Sequence, residues 1–154
     1  DTLRSRGLGD VYKRQIQRSL TSIGDDIKSY RQLATLLQEQ KSLYLSFDAA
    51  KLNQNLAEQK PLLRKLDLHA TERSQTMKAL RLTSDQAGIS KLFSVLPPSL
   101  SRKVHAQWRE LESLVKQCHA LNQENGHSSA SFHELMCHVT QPSQHTYEEQ
   151  PSLR

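Results

Sequence analysis

The chain has 154 residues, of which 36% are hydrophobic and only 5% are aromatic. This length suits one domain. So few large apolar side chains argue against a thick globular core, and we expect long helices packed along narrow seams. The chain carries 21 lysines and arginines against 16 acidic residues, a formal net charge of +5. No apolar run approaches the roughly 20 residues that span a bilayer, and no export signal is visible. We therefore expect a cytoplasmic protein without stable membrane insertion.

The first 15 residues have neither a helical period nor the apolar core of a signal peptide. They resemble a translated sequencing-adapter segment, so we expect residues 1–15 to be disordered and foreign to the fold. They contribute +2 of the net charge, which leaves +3 on the remaining residues, with both signs interspersed. Such a surface is typical of solvated helices. We expect no nucleic-acid partner, and weak nucleic-acid binding is kept as an alternative.

Two helical stripes follow. Apolar residues from Ile16 to Phe47 recur at steps of three, four and seven, which predicts a helix of about 30 residues. Asp48 is a suitable N-cap for a second helix. The second stripe consists of Leu52, Leu56, Leu63, Leu66, His69 or Ala70, Met77 and Leu80. A short break between similar helices favours an antiparallel hairpin, while one unbroken helix stays open as the alternative. Pro61 predicts a kink in the second helix.

Capping residues and prolines predict the bounds of the remaining helices. Thr83-Ser84-Asp85 can cap a short helix, which Pro97-Pro98 ends, and the last long helix begins at Pro98 or Ser99. Its apolar stripe stays in phase across Asn125-Gly126, which predicts one continuous helix despite these poor helix formers. The stripe consists of Val104, Trp108, Leu111, Val115, Cys118, Leu121, Asn122, Phe132, Leu135, Met136 and Val139.

These elements predict an all-α fold. We expect an elongated antiparallel helical hairpin or coiled-coil-like bundle of three long helices plus one short helix. The helical domain is predicted over residues 16–139. Residues 140–154 are polar and contain two prolines, so a disordered C-terminal tail is predicted there.

No constellation in the sequence supports catalysis. There is no phosphate-binding glycine loop, HExxH motif or nucleophile elbow. His133 and Cys137 are one helical turn apart, but a zinc site needs four convergent ligands. Cys118 and Cys137 would lie about 28 Å apart on one helix, too far for a disulfide. We predict a protein that is not an enzyme and has no metal or cofactor.

The chain resembles the FlgN family of flagellar export chaperones over residues 20–147. The strongest matching feature is the Asn-x-x-Asn-Gly pattern that follows the tryptophan helix. In chain order the matching features are Leu36-Leu37-Gln38-Glu39-Gln40 with Leu43, Asp48 with Leu52, Lys60 with Leu62, Leu63 and Leu66, Arg73, Leu80, Gly88-Ile89 with Leu92, Leu96-Pro97, Trp108 with Leu111, Leu114 and Cys118, and finally Leu121, Asn122, Asn125 and Gly126.

The resemblance implies a cytoplasmic all-helical chaperone. Its clients would be the first and third hook-associated proteins, which form the hook–filament junction. The chaperone would keep them unassembled and deliver them to the cytoplasmic domain of the flagellar type III export gate. A long helix with an apolar stripe can cover an amphipathic client helix. An exposed stripe can also support weak homo-oligomers until a client arrives.

The resemblance also implies where the sites lie. Client binding falls toward the C-terminus, on Phe132, Leu135, Met136 and Val139, for which an intramolecular core role is the alternative. Tyr147 corresponds to the tail tyrosine that docks on the export gate. A generic helical coiled-coil scaffold without an export role is the alternative function.

Overall fold

A computed structural model describes the backbone of residues 7–140 and the side chains of residues 10–128 and 130. Over this range the chain forms four helices and no strand: α1 (Gly7–Ser46), α2 (Ala49–Ala79), α3 (Gln86–Ser94) and α4 (Pro98–Thr140). The predicted all-α class, with three long helices and one short one, is confirmed. The tail beyond Thr140 lies outside the described residues.

Helix α1 is longer than the sequence predicts. It begins at Gly7 and has 40 residues, so the prediction that residues 1–15 are disordered is wrong for residues 7–15. Once the apolar stripe from Ile16 onward fixes a helix, each preceding residue that joins it adds one backbone hydrogen bond without a new nucleation cost. Asp10 lies in the first turn, where its charge interacts favourably with the helix dipole.

A two-residue connection joins α1 and α2, which confirms the break that the sequence predicts at Asp48. The Asp48 N–H donates to the Leu43 carbonyl at 3.3 Å and the Phe47 N–H to the Tyr44 carbonyl at 3.3 Å. Phe47 has a φ of 56°. This pattern is a Schellman motif, with phenylalanine where glycine is usual. Phe47, predicted to end the buried stripe, is instead 50% exposed.

Asp48 then begins α2. Its carboxylate Oδ1 accepts a hydrogen bond from the Lys51 N–H at 3.1 Å, so the predicted N-cap is confirmed. Helix α2 continues through Pro61 without interruption, and the predicted kink at this residue stays a prediction. The same Schellman pattern ends α2, where Arg81 has a φ of 59°.

The chain divides into two compact units. The first unit comprises the residues up to Tyr30 together with Leu62–Leu114. Its core is apolar, with Phe93 of α3 in edge-to-face contact with two α4 rings, His105 at 4.9 Å and Trp108 at 6.3 Å between centroids. The buried members of this core are Ile23, Ile27, Met77, Leu92, Phe93, Val104 and Leu111.

The second unit comprises Arg31–Pro61 together with the chain from Val115 onward. Its interior mixes apolar and amide side chains. The buried residues are Leu33, Ala34, Leu36, Leu37, Tyr44, Leu52 and Cys118 on the apolar side, and Gln40, Asn55, Gln59 and Asn125 on the polar side. Leu63 in the first unit and Val115 in the second, both predicted to lie on buried stripes, are exposed.

Candidate functional site

Asn125, the second asparagine of the Asn-x-x-Asn-Gly pattern in α4, is buried in the second unit and is only 2% exposed. Its Nδ2 donates to the Leu37 carbonyl at 2.9 Å and to Gln40 Oε1 at 3.3 Å. Both acceptors belong to α1. Tertiary hydrogen bonds therefore account for an amide at a helix-interior position that helix propensity disfavours.

The side chain of Gln40 joins Asn125 to two further amides of α2. Gln59 Nε2 donates to Gln40 Oε1 and to Asn55 Oδ1, both at 2.8 Å. Asn55 Nδ2 donates to the Leu36 carbonyl at 2.9 Å. We call Gln40, Asn55, Gln59 and Asn125 the amide cluster. Its members do not titrate, so the cluster can position helices but offers no acid–base chemistry.

The other residues of the Asn-x-x-Asn-Gly segment have different environments. Leu121 is half-buried, whereas Asn122 and Gly126 are exposed. The placement of Asn122 on the apolar stripe is therefore wrong, since the buried face of α4 passes through Cys118, Leu121 and Asn125. Gly126 is helical and has no positive φ, so the helix continues through it as predicted.

Replacing Asn125 by alanine is expected to lower the free energy of unfolding by about 2 kcal/mol, because two buried hydrogen bonds are lost and Gln40 loses one of its donors. Asn122→Ala is the matched control on the same helix and is expected to change stability by less than about 0.5 kcal/mol. Urea unfolding followed by circular dichroism measures both. Equal effects of the two substitutions would contradict the structural role assigned to Asn125.

Trp108 belongs to the first unit, where it is half-buried and packs its ring edgewise against Phe93. The ring therefore forms part of the packing around the core of the first unit. Its indole Nε1 is buried without a hydrogen-bond partner among the described residues.

A buried ionic cluster in the first unit was not predicted. Asp26 of α1 is fully buried, and its Oδ1 lies 2.6 Å from His69 Nδ1. Arg73 Nη1 donates to Asp26 Oδ2 at 2.7 Å and to Ser22 Oγ at 2.8 Å. The side chains of His69 and Arg73 are each 16% exposed. The cluster satisfies a carboxylate that would be very unfavourable to bury alone.

The Asp26 cluster resolves two sequence ambiguities. Between His69 and Ala70 it is His69 that faces inward, since Ala70 is exposed. Arg73, like Lys60 and Arg64 of the same helix, belongs to the interspersed charges that are expected on a solvated helix surface. Those two side chains are exposed, but Arg73 is paired with Asp26.

A tight turn precedes α3. Asp85 caps this helix by accepting a hydrogen bond from the Gly88 N–H at 3.0 Å, and the Thr83 hydroxyl donates to the same carboxylate oxygen. The hydroxyl of Thr83, followed by the N–H of Gly88, lowers the pKa of Asp85. The turn leaves no room beside Gly88, where an added Cβ would lie 1.7 Å from the Thr83 carbonyl oxygen.

The predicted binding residues lie at the limit of the structure. The α4 backbone is helical as far as Thr140, so Phe132, Leu135, Met136 and Val139 lie on a helix. Their side chains, and that of Cys137, are outside the described residues, and Tyr147 lies wholly outside them.

Burial raises the pKa of the Cys118 thiol in the second unit.

No helix over residues 7–140 is both long enough and apolar enough to cross a membrane.

Comparison with known proteins identifies the family. The FlgN protein family matches residues 15–135 of the chain. No curated protein matches it. The fold is similar to that of a crystal structure from Pseudomonas aeruginosa described as a flagella synthesis protein FlgN, with a TM-score of 0.65 and 21% sequence identity. That similarity covers 70% of this chain and 82% of the other. Since the family match extends over most of the chain, the protein belongs to the FlgN family.

Proposed function

We propose that the protein is a cytoplasmic flagellar export chaperone, which binds the first and third hook-associated proteins and delivers them to the type III export gate. The observation that carries the proposal is the family match over residues 15–135, which includes Phe132 and Leu135 of α4. The similar crystal structure is described as a flagella synthesis protein, which agrees with a role in flagellar assembly.

The length of α4 supports a client-binding role for its C-terminal end. Asn125 and Gln40 are hydrogen-bonded neighbours. Gln107 of α4 likewise lies beside Gly24 of α1, so residue numbers rise in the same direction along both helices. Helix α1 ends six residues after Gln40, whereas α4 continues for fifteen residues after Asn125. At about 1.5 Å per residue these lengths are roughly 9 and 22 Å. The last nine residues of α4 therefore have no equal length of α1 to pack along.

Those nine residues carry all four residues of the proposed client site. Phe132, Leu135, Met136 and Val139 recur at spacings of three and four, which places them on one face of the helix. An amphipathic client helix can lay its apolar face on such a stripe. The client would thereby bury the surface through which it otherwise self-associates.

Replacing Phe132 and Leu135 together by aspartate is expected to weaken client binding at least tenfold while helicity persists, since two charges then face an apolar client surface. Isothermal titration with the purified first and third hook-associated proteins measures the affinity, and circular dichroism the helicity. A matched control replaces the exposed Val115 and Asn122 of the same helix by aspartate and should bind normally. Unchanged binding by the Phe132/Leu135 variant would place the client site elsewhere.

Replacing Tyr147 by alanine is expected to leave client binding unchanged and to weaken docking on the cytoplasmic domain of the export gate protein at least tenfold. The reason is that an aromatic side chain in a polar tail offers the main apolar contact available there. Surface plasmon resonance with the immobilised gate domain tests this for the chaperone–client complex. If Tyr147→Phe docks as the wild type does while Tyr147→Ala docks weakly, the aromatic ring rather than the hydroxyl makes the contact. Normal docking by Tyr147→Ala would remove the tyrosine from the gate site.

A further inference from the structure

A surface groove lies between α3 and α4 in the first unit. Its volume is about 490 Å³, and it has walls from both helices. The α3 wall consists of Gln86, Ile89 and Ser90. The α4 wall consists of Arg102, His105, Trp108, Arg109 and Glu112. We call it the α3–α4 groove. None of the residues assigned above to client binding or gate docking lines it.

The α4 wall of the groove is basic. Arg102, His105 and Arg109 follow each other at spacings of three and four, so they share one face of the helix. Both arginines are exposed, and neither forms an ion pair within the part of the chain that the structure describes. Glu112 is the single carboxylate of the lining. Two unpaired guanidinium groups beside one groove favour an anionic occupant.

The groove also has an apolar component. Ile89 and Trp108 are half-buried residues that pack against the core of the first unit and also line the groove. An occupant that places one large apolar side chain against them would bury their remaining exposed surface. Aromatic and arginine side chains together are the residues most often found at the energetic centre of protein interfaces.

We propose that the α3–α4 groove docks an acidic segment of a partner protein, which pairs carboxylates with Arg102 and Arg109 and places an apolar side chain against Ile89 and Trp108. A carboxylate can accept two parallel hydrogen bonds from each guanidinium group. A nucleic acid suits the groove less well. Backbone tracking needs a longer row of cations, and base stacking needs an exposed ring face, whereas Trp108 is half-buried against Phe93. The proposal is independent of the client site at the end of α4.

The test is a selection with the full chain as target. A phage library of random dodecapeptides is selected on the wild-type chain, with the Arg102→Glu/Arg109→Glu variant used for counter-selection. We expect the enriched peptides to have a net negative charge and at least one large apolar residue. Trp108 is the one tryptophan in the sequence. The synthetic consensus peptide should therefore change its fluorescence emission in a saturable manner.

Binding of the consensus peptide should weaken at least tenfold in the Arg102→Glu/Arg109→Glu variant. A matched variant, Lys60→Glu/Arg64→Glu, reverses two exposed charges on α2 and should bind as the wild type does. Circular dichroism confirms that both variants stay helical. Enriched peptides without acidic character, no enrichment dependent on the two arginines, or tighter arginine-dependent binding of a 20-nucleotide oligo-dT would each overturn the proposal.

Discussion

Replacement of Asp26 by alanine is expected to lower the free energy of unfolding by about 3–5 kcal/mol, the largest effect that the structure predicts for a single side chain. The carboxylate is fully buried and is the shared partner of His69 and Arg73. Without it, the mostly buried guanidinium group of Arg73 keeps, among the residues that the structure describes, only the Ser22 hydroxyl as a partner. A poorly compensated charge then stays inside the first unit, which is strongly unfavourable.

Thermal and urea unfolding, followed by circular dichroism at 222 nm, measure the loss. Asp25→Ala is the matched control, because it removes the same charge one residue away, where the side chain is only half-buried. Its expected effect is within about 0.5 kcal/mol. If Asp25→Ala and Asp26→Ala are equally stable, the ionic cluster contributes nothing and its assignment is wrong. A double variant that removes both buried charges, Asp26→Leu with Arg73→Met, should recover much of the lost free energy of unfolding, since apolar residues can replace buried ion pairs.

Replacement of Gly88 by alanine is expected to destabilise the protein by about 3 kcal/mol, at the upper end of the usual range for overpacking. The added methyl group would lie 1.7 Å from the Thr83 carbonyl oxygen and 2.7 Å from its carbon. These are backbone atoms, so no side-chain rotation relieves the clash. The turn must open, and with it the hydrogen bond from the Gly88 N–H to Asp85 that caps α3.

Gly126→Ala is the control for the Gly88 substitution and should change stability in the opposite direction. Among the described residues, no heavy atom outside the adjoining backbone of α4 lies within 4 Å of a Cβ built there, and the residue is in the interior of α4. Alanine is favoured over glycine in a helix by about 0.5–1 kcal/mol. Urea unfolding of the two variants side by side is decisive. A stabilising Gly88→Ala would show that the turn before α3 is looser than the structure describes.

The positions of the helices could be read from the sequence because their determinants are local. The 3.6-residue period and the caps at Asp48 and Asp85 depend on residues a few positions apart, and the structure bears them out. The start of α1 was missed because residues 7–15 have no apolar period of their own and extend a helix that begins in the following stripe. No glycine marks the ends of α1 and α2, where the left-handed conformations of Phe47 and Arg81 complete the turns.

The polar interior could not be predicted from a pattern that assigns polar residues to the surface. Asp26 pairs with residues 43 and 47 positions away, and Asn125 pairs with residues 85 and 88 positions away. The spacing of residues along α2 nonetheless indicates this polar interior. Along α2 the inward-facing positions keep spacings of three and four only when polar residues are included: Leu52, Asn55, Gln59, Leu62, Leu66, His69, Arg73 and Thr76.

The structure explains some residues of the family signature but not others. Asn125 is required by the amide cluster and Gly88 by the turn before α3, while Trp108 packs in the core of the first unit. No described contact explains Asn122 or Gly126, since both residues are exposed. The proposed client residues differ from these, because their spacing predicts a shared face but their side chains are outside the described residues.

The amide cluster also restricts how helices can pair in the second unit. A purely apolar seam can slip by one turn, about 5.4 Å, and still bury leucine against leucine. A slip of that size would separate Gln59 from Gln40 and Asn125 from the Leu37 carbonyl, leaving buried amides unsatisfied at about 1–3 kcal/mol each. The cluster therefore selects one register. A foreign helix without amides at matching positions would leave the same buried amides unsatisfied. The cluster therefore opposes the replacement of α2 or α4 by a client helix inside the chaperone.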